Sequence, residues 1–346
     1  MNQYDYQGQD TNVLLEKFLN RYPTSEYSKI YPELYTQNFE NFCIENIFPI
    51  IKDINNQKTK NEKETKITTI SLCAIFFFIF IFAIVLFSFI CFYLFLIFLF
   101  FSLVYYQEKK WKELQEKKNK ILPKLFSLYK NCKYITNNEE KEAFRKYLNK
   151  LLLFEKRGGF CKKYCEDFFK LDYKGLKINL CELNLPGMIA WTANGDKLIH
   201  KGGASIFYRI KTKKLFSSKT FIRKRRYAKK RKSKTEELII LESSKFNNIF
   251  LSETTNQQEA RTFLTPSFME KLINFSEKNH HNEILISFEK GYINICFSAY
   301  IYSSFEIGDI EDVKNRREVI KRLRYTLIDL QEHLKLIDDL KIEDLV

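Results

Sequence analysis

Ile75-Phe76-Phe77-Phe78-Ile79-Phe80-Ile81-Phe82 and Leu94-Phe95-Leu96-Ile97-Phe98-Leu99-Phe100-Phe101 are the densest parts of one apolar stretch. It runs from Ile67 to Gln107, with no charged residue between Lys66 and Glu108. An uncharged apolar run of about 18 residues or more is read as membrane-spanning, and this one is about twice that length. As a single helix it would reach ~60 Å at ~1.5 Å per residue, against a hydrocarbon core of ~30 Å. A single span would need a tilt near ~60°, beyond the usual ~0–40°. Two short spans folded back as a transmembrane helical hairpin over 67–107 fit better. The turn is expected near Phe87–Tyr93, where Ser88 and Tyr93 can face the interface.

The flanks give the orientation. Lys52, Lys58, Lys60, Lys63 and Lys66 precede the stretch; Lys109, Lys110, Lys112, Lys117, Lys118 and Lys120 follow it. Lysine and arginine near a span mark its cytoplasmic end, and acidic neighbours count little. Both ends are therefore expected in the cytoplasm, which requires an even number of crossings. Tyr105, Tyr106 and Trp111 stand where interfacial aromatics belong. The expected location is the cell membrane, two spans, both termini cytoplasmic.

The 346 residues leave room for the hairpin and one or two further domains. The first 60 residues are polar and mixed, so no signal peptide is expected. Eight cysteines lie at 43, 73, 91, 132, 161, 165, 181 and 296 without CxxC spacing, and read as reduced thiols. Cys161 and Cys165, four apart, can share a helix face. With four histidines in the chain, neither a zinc site nor any other cofactor is expected.

The formal net charge is +15, and it is local. Lys201 to Lys234 holds fifteen Lys/Arg and no Asp or Glu, while elsewhere 42 basic residues balance 42 acidic ones. Its densest part contains Arg223, Lys224, Arg225, Arg226, Lys229, Lys230, Arg231, Lys232 and Lys234, with Tyr227 alone among aromatics. Such a run is too dense to pack and is read as a solvated loop or a strand extension. Three readings stand beside each other. On a membrane-anchored protein the nine residues can meet anionic headgroups, at ~1 kcal/mol per basic residue near the surface. They can neutralise nucleic-acid phosphates, although one interleaved aromatic and no base-reading module rank that lower. Or they are a loop without a task.

Along the chain, residues 1–9 read as disordered and 10–66 as a cytoplasmic helical segment. Val13, Leu14, Phe18 and Leu19 form one face there, Pro23 and Pro32 interrupt, Thr24-Ser25 can recap, and Phe39, Phe42, Cys43, Asn46, Ile47 and Ile50 form a second apolar side. Residues 108–130 read as a helical stalk continuing the second span, with Pro123 ending or restarting it. The rest, 131–346, reads as a cytoplasmic α+β domain. A helix is expected over Asn138–Glu155, closed by Gly158-Gly159. From about 173 the period changes to two: Leu176, Ile178 and Leu180 alternate with Lys177, Asn179 and Cys181. Ile206–Ile210 and Lys219–Ile222 also read as strands, Asn194-Gly195 as a hairpin turn, Leu238–Leu241 as a short buried strand and Asn248–Ser252 as its partner. Asn256-Gln257-Gln258-Glu259 fits a capping box, and Thr265-Pro266 starts the next helix. Ile284–Phe288 and Tyr292–Phe297 flank a turn at Glu289-Lys290-Gly291. Ile310–Leu345 carries Ile320, Leu323, Leu327, Leu330, Leu334 and Ile337 at spacings of three and four, a packing helix or a short coiled coil. The fold class is α+β: N-terminal helices, the two-span hairpin, then an antiparallel sheet with packing helices and a long C-terminal helix.

Leu241-Glu242-Ser243-Ser244-Lys245-Phe246-Asn247-Asn248-Ile249-Phe250, then Glu259-Ala260-Arg261-Thr262-Phe263-Leu264-Thr265-Pro266-Ser267-Phe268-Met269-Glu270, Ile286-Ser287-Phe288 and Ser304-Phe305-Glu306 resemble a bacterial family of unknown function, DUF3137. Glu166-Asp167, Gly175 and Cys181-Glu182-Leu183 are weaker echoes, and 186–205 departs from the pattern. The resemblance implies two spans followed by a cytoplasmic α+β domain. It also points to a LemA-type membrane protein as a partner, and implies no activity and no catalytic residue.

No P-loop, GxGxxG, HExxH or GxSxG motif occurs. Glu166-Asp167 and Asp338-Asp339 are neighbours in sequence and do not converge on one point in a helix or strand. Arg261 can contact a phosphate at a helix start, but pairing with Glu242 or Glu259 is the plainer reading; His280-His281 reads as solvated. The sequence thus favours a non-enzymatic binding or scaffold protein, with a membrane-anchored enzyme of unrecognised site as the alternative.

Overall fold

A computed structural model describes residues 24–59, 74, 76–77, 88–150, 165–185, 188–191, 197–200, 203–213, 215–225, 237–278, 284–298, 305, 307 and 315–345. The chain divides into two compact units. One comprises Pro32–Leu125 with Ile307–Leu323; the other comprises Met1–Tyr31, Phe126–Glu306 and Arg324–Val346. Helix α1 (Thr24–Ile30) belongs to the latter. The expected helix at 10–22 and residues 1–9 lie outside the described residues.

The first unit opens with a 3-10 turn, Pro32–Tyr35, and helix α2, Gln37–Phe42, capped by Thr36 Oγ1, which accepts from Phe39 N at 3.4 Å. A π-helical turn, Cys43–Ile47, leads into α3, residues 48–59. Leu34, Phe39, Cys43, Ile47, Ile51 and Ile54 are buried at spacings of three to five, the apolar stripe of a packing helix. Lys120 Nζ donates to Gln57 Oε1 at 3.1 Å.

Helix α4 spans Ser88–Phe126, 39 residues. Residues 88–93, expected as a turn, are its first two turns: an uninterrupted run without Gly or Pro gives the helix no reason to break there. The helix also passes through Pro123 rather than ending at it. Proline costs ~3 kcal/mol or more inside a helix. Ile121, Leu122 and Leu125 around it are fully buried, at ~1.5–3 kcal/mol each, which outweighs that cost. Phe76, in a helical residue pair with Phe77, lies against Phe98 of α4, ring centroids 4.5 Å apart. Among the described residues no helix is long and apolar enough to cross a membrane. The exposed apolar side chains of α4 run from Tyr93 to Tyr106 among the described residues, and most of 67–87 lies outside them.

The second unit is α+β. Strands β1 (Cys132–Tyr134), β2 (Cys165–Tyr173) and β3 (Leu176–Leu185) are followed by a separate hairpin, β4 (Met188–Trp191) with β5 (Lys197–His200). Then come β6 (Gly203–Lys211), β7 (Thr220–Lys224), β8 (Glu237–Ile239), β9 (Phe250–Thr254), β10 (Ile284–Glu289) and β11 (Tyr292–Ser298). Among the described residues nine strands form one sheet in the order β1-β2-β3-β6-β11-β10-β7-β9-β8, antiparallel at every pairing. Its helices are α5 (Asn138–Lys150), α6 (Ser244–Ile249), α7 (Gln257–Phe263), α8 (Pro266–Lys278) and the 324–339 part of α9 (Arg316–Asp339), then a 3-10 turn, Ile342–Leu345.

Period-two alternation decides what each face meets. The cross-strand row Leu180–Tyr208–Ile295–Ile286–Ile222–Ser252 is buried throughout. Tyr208 Oη donates to His333 O of α9 at 3.1 Å, and Phe263 of α7 and Phe268 of α8 pack on Phe288. On the other face, Cys181, Phe207, Cys296 and Leu285 form a row under Leu148 and Phe144 of α5.

Several sequence expectations need correction. Cys165 opens a strand rather than sharing a helix face with Cys161, because Phe168, Phe169 and Leu171 beside it are all buried in the sheet. Residues 244–249 are helix, with Ser243 Oγ accepting from Phe246 N at 3.2 Å, so the partner strand begins only at Phe250. Strand β8 is a sheet edge, with Leu238 and Ile240 exposed rather than buried. The capping box is half formed: Asn256 Oδ1 accepts from Gln258 N and Glu259 N, but the Glu259 carboxylate turns to Ser217 and Ser218. The C-terminal helix begins at Arg316, where Asn315 Oδ1 accepts from Arg317 N at 2.9 Å, and ends at Asp339. Its seam of Ile320, Leu323, Leu327, Leu330 and Ile337 is buried, so it is a packing helix. The 151–164 continuation of α5 and the Asn194-Gly195 turn lie outside the described residues, although Trp191 pairs with Lys197 around the latter.

Candidate polyanion-binding surface

The basic run begins inside the sheet. Arg223 lies on β7 opposite Leu285 and Leu251, and its Nη2 meets Glu253 Oε2 on β9 at 2.9 Å. Lys224, the last residue of β7, is buried, and Arg225 Nε donates to Asn247 O of α6 at 2.8 Å. Of the two sequence readings, solvated loop or strand extension, Arg223 and Lys224 take the second, because β7 extends two residues past Ile222. Arg225, just beyond the strand, is exposed. Arg226, Lys229, Lys230, Arg231, Lys232 and Lys234 lie outside the described residues.

The ends of that segment are nevertheless placed. Strands β7 and β8 both pair antiparallel with β9; Lys224 stands opposite Phe250 and Glu237 opposite Thr254. The segment 226–236 therefore joins opposite ends of β9, ~14 Å apart at ~3.4 Å per residue. Nearby cations are engaged. Arg261 Nη1 pairs with Glu242 Oε1 at 2.6 Å, and its Nη2 donates to Ile240 O at 2.9 Å, the plainer of its two sequence readings.

Glu259 fixes the turn before β7. Its carboxylate accepts from Ser217 N and Ser217 Oγ, both at 2.9 Å, and from Ser218 N at 2.6 Å. Partial burial works against its charge, but these hydrogen bonds prevail and hold the carboxyl below its usual range. The same turn carries Lys213 to a cavity of about 620 Å³ at the start of α8. Thr265, Ser267, Lys271 and Lys341 line it over Phe263, Phe268 and Leu340. Lys271 is held there by Asp344 at 3.3 Å.

A polar network that the sequence did not announce occupies the middle of the sheet. Tyr147 Oη donates to Asn294 Oδ1 at 2.9 Å, and Asn294 Nδ2 donates to Ser287 Oγ at 3.1 Å. Beside them the Arg209 guanidinium is clamped between the rings of Tyr147, 3.6 Å away, and Tyr292, 3.8 Å away. Burial raises the carboxyl of Glu289 above its usual value, against the pull of Lys219. The signal was in the sequence: Lys177, Asn179, Arg209 and Lys211 are the polar half of the alternation whose apolar half identified β3 and β6.

Glu166 faces Glu182 across β2 and β3, and the register skips Asp167 at a β-bulge between Glu166 and Phe168. The acidic residues that meet across strands are thus not the pair adjacent in sequence. Among the described residues, no group of three or more His, Cys, Asp or Glu is placed to hold a metal ion. His280-His281 lie outside the described residues.

Residues 204–342 match the model of DUF3137, a protein family of unknown function. The match contains the 241–306 stretch on which the resemblance rests and runs from β6 through α9; the weaker echoes at Glu166-Asp167, Gly175 and Cys181-Glu182-Leu183 lie outside it. No curated protein matches the chain in sequence. Among solved structures, the mycobacterial trehalose monomycolate transport factor A aligns with 50% of this chain and 73% of its own, at 10% identity and a TM-score of 0.27, too little likeness to carry an argument.

Proposed function

We propose that this chain, whose 204–342 region is of the DUF3137 family, is a membrane-anchored binding or scaffold protein without catalytic activity. A two-span hairpin within 67–107 holds it in the cell membrane. Both termini face the cytoplasm, and the polybasic segment beyond Arg225 meets anionic lipid headgroups. A LemA-type membrane protein is the partner the family resemblance suggests.

One observation carries this reading. From Tyr93 to Phe101 every side chain of α4 is exposed, Tyr93 at 70%, Leu94 at 60% and Phe100 and Phe101 at 64%. Successive helical residues point about 100° apart, so nine in a row present apolar groups in every direction. A helix apolar all round has no stable place in water. Lipid supplies the missing environment. The contact of Phe76 with Phe98 sets part of the first apolar half beside the second, as a hairpin does. The lysines on both flanks give the orientation.

The test is made in cells. The full chain should stay with the membrane pellet through alkaline extraction. Reporters inserted after residue 60 and after residue 346 should both give the cytoplasmic signal. Release by alkali would remove the anchor, and opposite reporter signals would replace the hairpin with a single crossing.

A further inference from the structure

Among the described residues, one face of the sheet is buried along its length, and α5 covers only part of the other. Helix α5 covers the Cys181–Phe207–Cys296–Leu285 row. Two rows further along the strands, the same face carries Lys133, Lys170, Asn179 and Arg209 in register. The next row carries Asp172 opposite Lys177 and Lys211 opposite Tyr292. Lys130, Lys133, Lys170, Lys177 and Lys211 all line one groove of about 490 Å³, with Asn179 and Tyr292.

This arrangement costs the fold something. Lys133 stands directly opposite Lys170, and one step past Ile178–Ile210 the register sets Lys177 opposite Lys211. Like charges directly opposite on neighbouring strands are destabilising. Compensation within the protein is partial. Glu140 pairs with Lys170 at 2.5 Å, and the groove lining holds one acid, Asp172. Cys132 adds no negative charge, since burial pushes its thiol up to about 12. Among the described residues, Lys130, Lys177 and Lys211 have no ion pair. Among the described residues, the five lysines of the lining against Asp172 and Glu140 leave a net +3.

We propose that this lysine groove on the open half of the sheet, around Lys133, Lys170, Lys177 and Lys211, binds an anion carrying two or more phosphoryl groups. The width argues for more than one group. These lysines come from β1, β2, β3 and β6, three strand spacings or ~14 Å, more than a single phosphate covers. The charge agrees, because each phosphomonoester carries about −1.5 to −2 near neutral pH, so two match the groove. Lysine suits the task as a point charge that adapts to phosphate oxygens. Asn179 offers an amide donor on the floor. The clamp of Tyr147 and Tyr292 holds Arg209 at the inner end as a fixed charge. The site is separate from the polybasic segment, which leaves the sheet at β7, four strands from β3 in the sheet order.

The phosphoryl groups can belong to a soluble compound or to a lipid headgroup, and the experiment separates the two. The detergent-solubilised full chain is titrated calorimetrically with sodium tripolyphosphate, and with orthophosphate as the single-group control. Tripolyphosphate should bind at one per chain, at least tenfold tighter than orthophosphate, and weaken steeply with salt. The double variant K177Q/K211Q should lose tenfold or more with its melting temperature unchanged or raised, since a like-charge pair is removed. A variant with the six cations of 226–234 changed to Gln should bind tripolyphosphate as the parent does. In a second arm, the chain in zwitterionic nanodiscs is mixed with phosphatidic acid vesicles. Capture that tripolyphosphate competes away and K177Q/K211Q abolishes makes the source a headgroup; no capture makes it soluble. The proposal fails if tripolyphosphate does not bind, if orthophosphate binds as well, if K177Q/K211Q binds normally, or if only the 226–234 variant loses binding.

Discussion

Glu259 Oε2 accepts a hydrogen bond from Ser218 N at 2.6 Å, across 41 residues of chain. The carboxylate that a capping-box pattern assigns to its own helix start instead ties α7 to the turn before β7. Asn256 alone caps the helix, and Asn256 N donates to Thr254 Oγ1 at 3.1 Å, so the helix start needs nothing from Glu259.

That relationship gives the first prediction. Partial burial opposes the charge on Glu259, and the hydrogen bonds from Ser218 and Ser217 overcome it, so the folded-state value lies below the unfolded one. A group of this kind contributes stability above its unfolded value, ~4.3, which is lost as pH falls through the folded value. E259Q should cost about 1–2 kcal/mol at pH 7. The gap to the parent should narrow below about pH 4. Thermal melts of the solubilised chain at several pH values measure both; a gap that persists unchanged at low pH would show that the charge is irrelevant.

The β-bulge of β2 gives the second. Asp167 has φ 42°, is 1% exposed, and accepts from Tyr134 Oη at 2.8 Å. Removing the hydroxyl in Y134F takes a donor from a buried carboxylate and should cost about 1–3 kcal/mol. D167N keeps an acceptor, tolerates the positive φ, and should cost less. Equal melting temperatures for Y134F and the parent would sink the idea.

Two hairpins turn on Lys-Gly, and they differ in surroundings. Lys174-Gly175 joins β2 to β3 and Lys290-Gly291 joins β10 to β11, with φ 52° and 78°, then 51° and 74°. Alanine at either glycine meets the left-handed strain of roughly 1–2 kcal/mol. A Cβ on Gly175 would meet nothing within 4 Å, whereas on Gly291 it would come within 3.1 Å of Leu215 Cδ2. G175A should therefore lower the melting temperature by the strain alone. G291A should match it or exceed it slightly, because the exposed Leu215 side chain can yield. L215A should remove any difference between the two, and a G291A cost far above G175A in that background would overturn the account.

The legible part of the fold is the part where local pattern and tertiary placement agree. Ile284–Phe297 reads as a hairpin because two short apolar runs flank a Lys-Gly turn and both runs are buried in the sheet. Thr265 caps α8 as its spacing with Pro266 suggests, accepting from Phe268 N at 3.2 Å. Strand β2 is hidden, because Phe168 and Phe169 are buried on opposite faces and the Asp167 bulge breaks the period. The site is less legible than the fold. Density of charge drew the reading to 223–234, yet Arg223 and Lys224 have structural partners or burial. Lys133, Lys170, Lys177 and Lys211 are dispersed between 133 and 211 and meet only through strand register.

The last prediction concerns the basic run. Since Arg223 pairs with Glu253 and Lys224 is buried, neutralising all nine residues would confound binding with folding. R223Q should leave Glu253 short of its partner and cost about 1–3 kcal/mol. The informative variant changes only Arg226, Lys229, Lys230, Arg231, Lys232 and Lys234 to Gln and should melt as the parent does. Six cations near an anionic surface contribute several kcal/mol at ~1 kcal/mol each, reduced by screening over a Debye length of ~8 Å. The full chain is placed in zwitterionic nanodiscs and presented with vesicles containing or lacking phosphatidylglycerol. Capture should require the anionic lipid, fall steeply between low and high salt, and vanish in the six-residue variant while R223Q retains it. Capture of RNA in preference to such vesicles, lost in the same variant, would assign the run to nucleic acid. Indifference to both would leave the run a solvated connection between the two ends of β9.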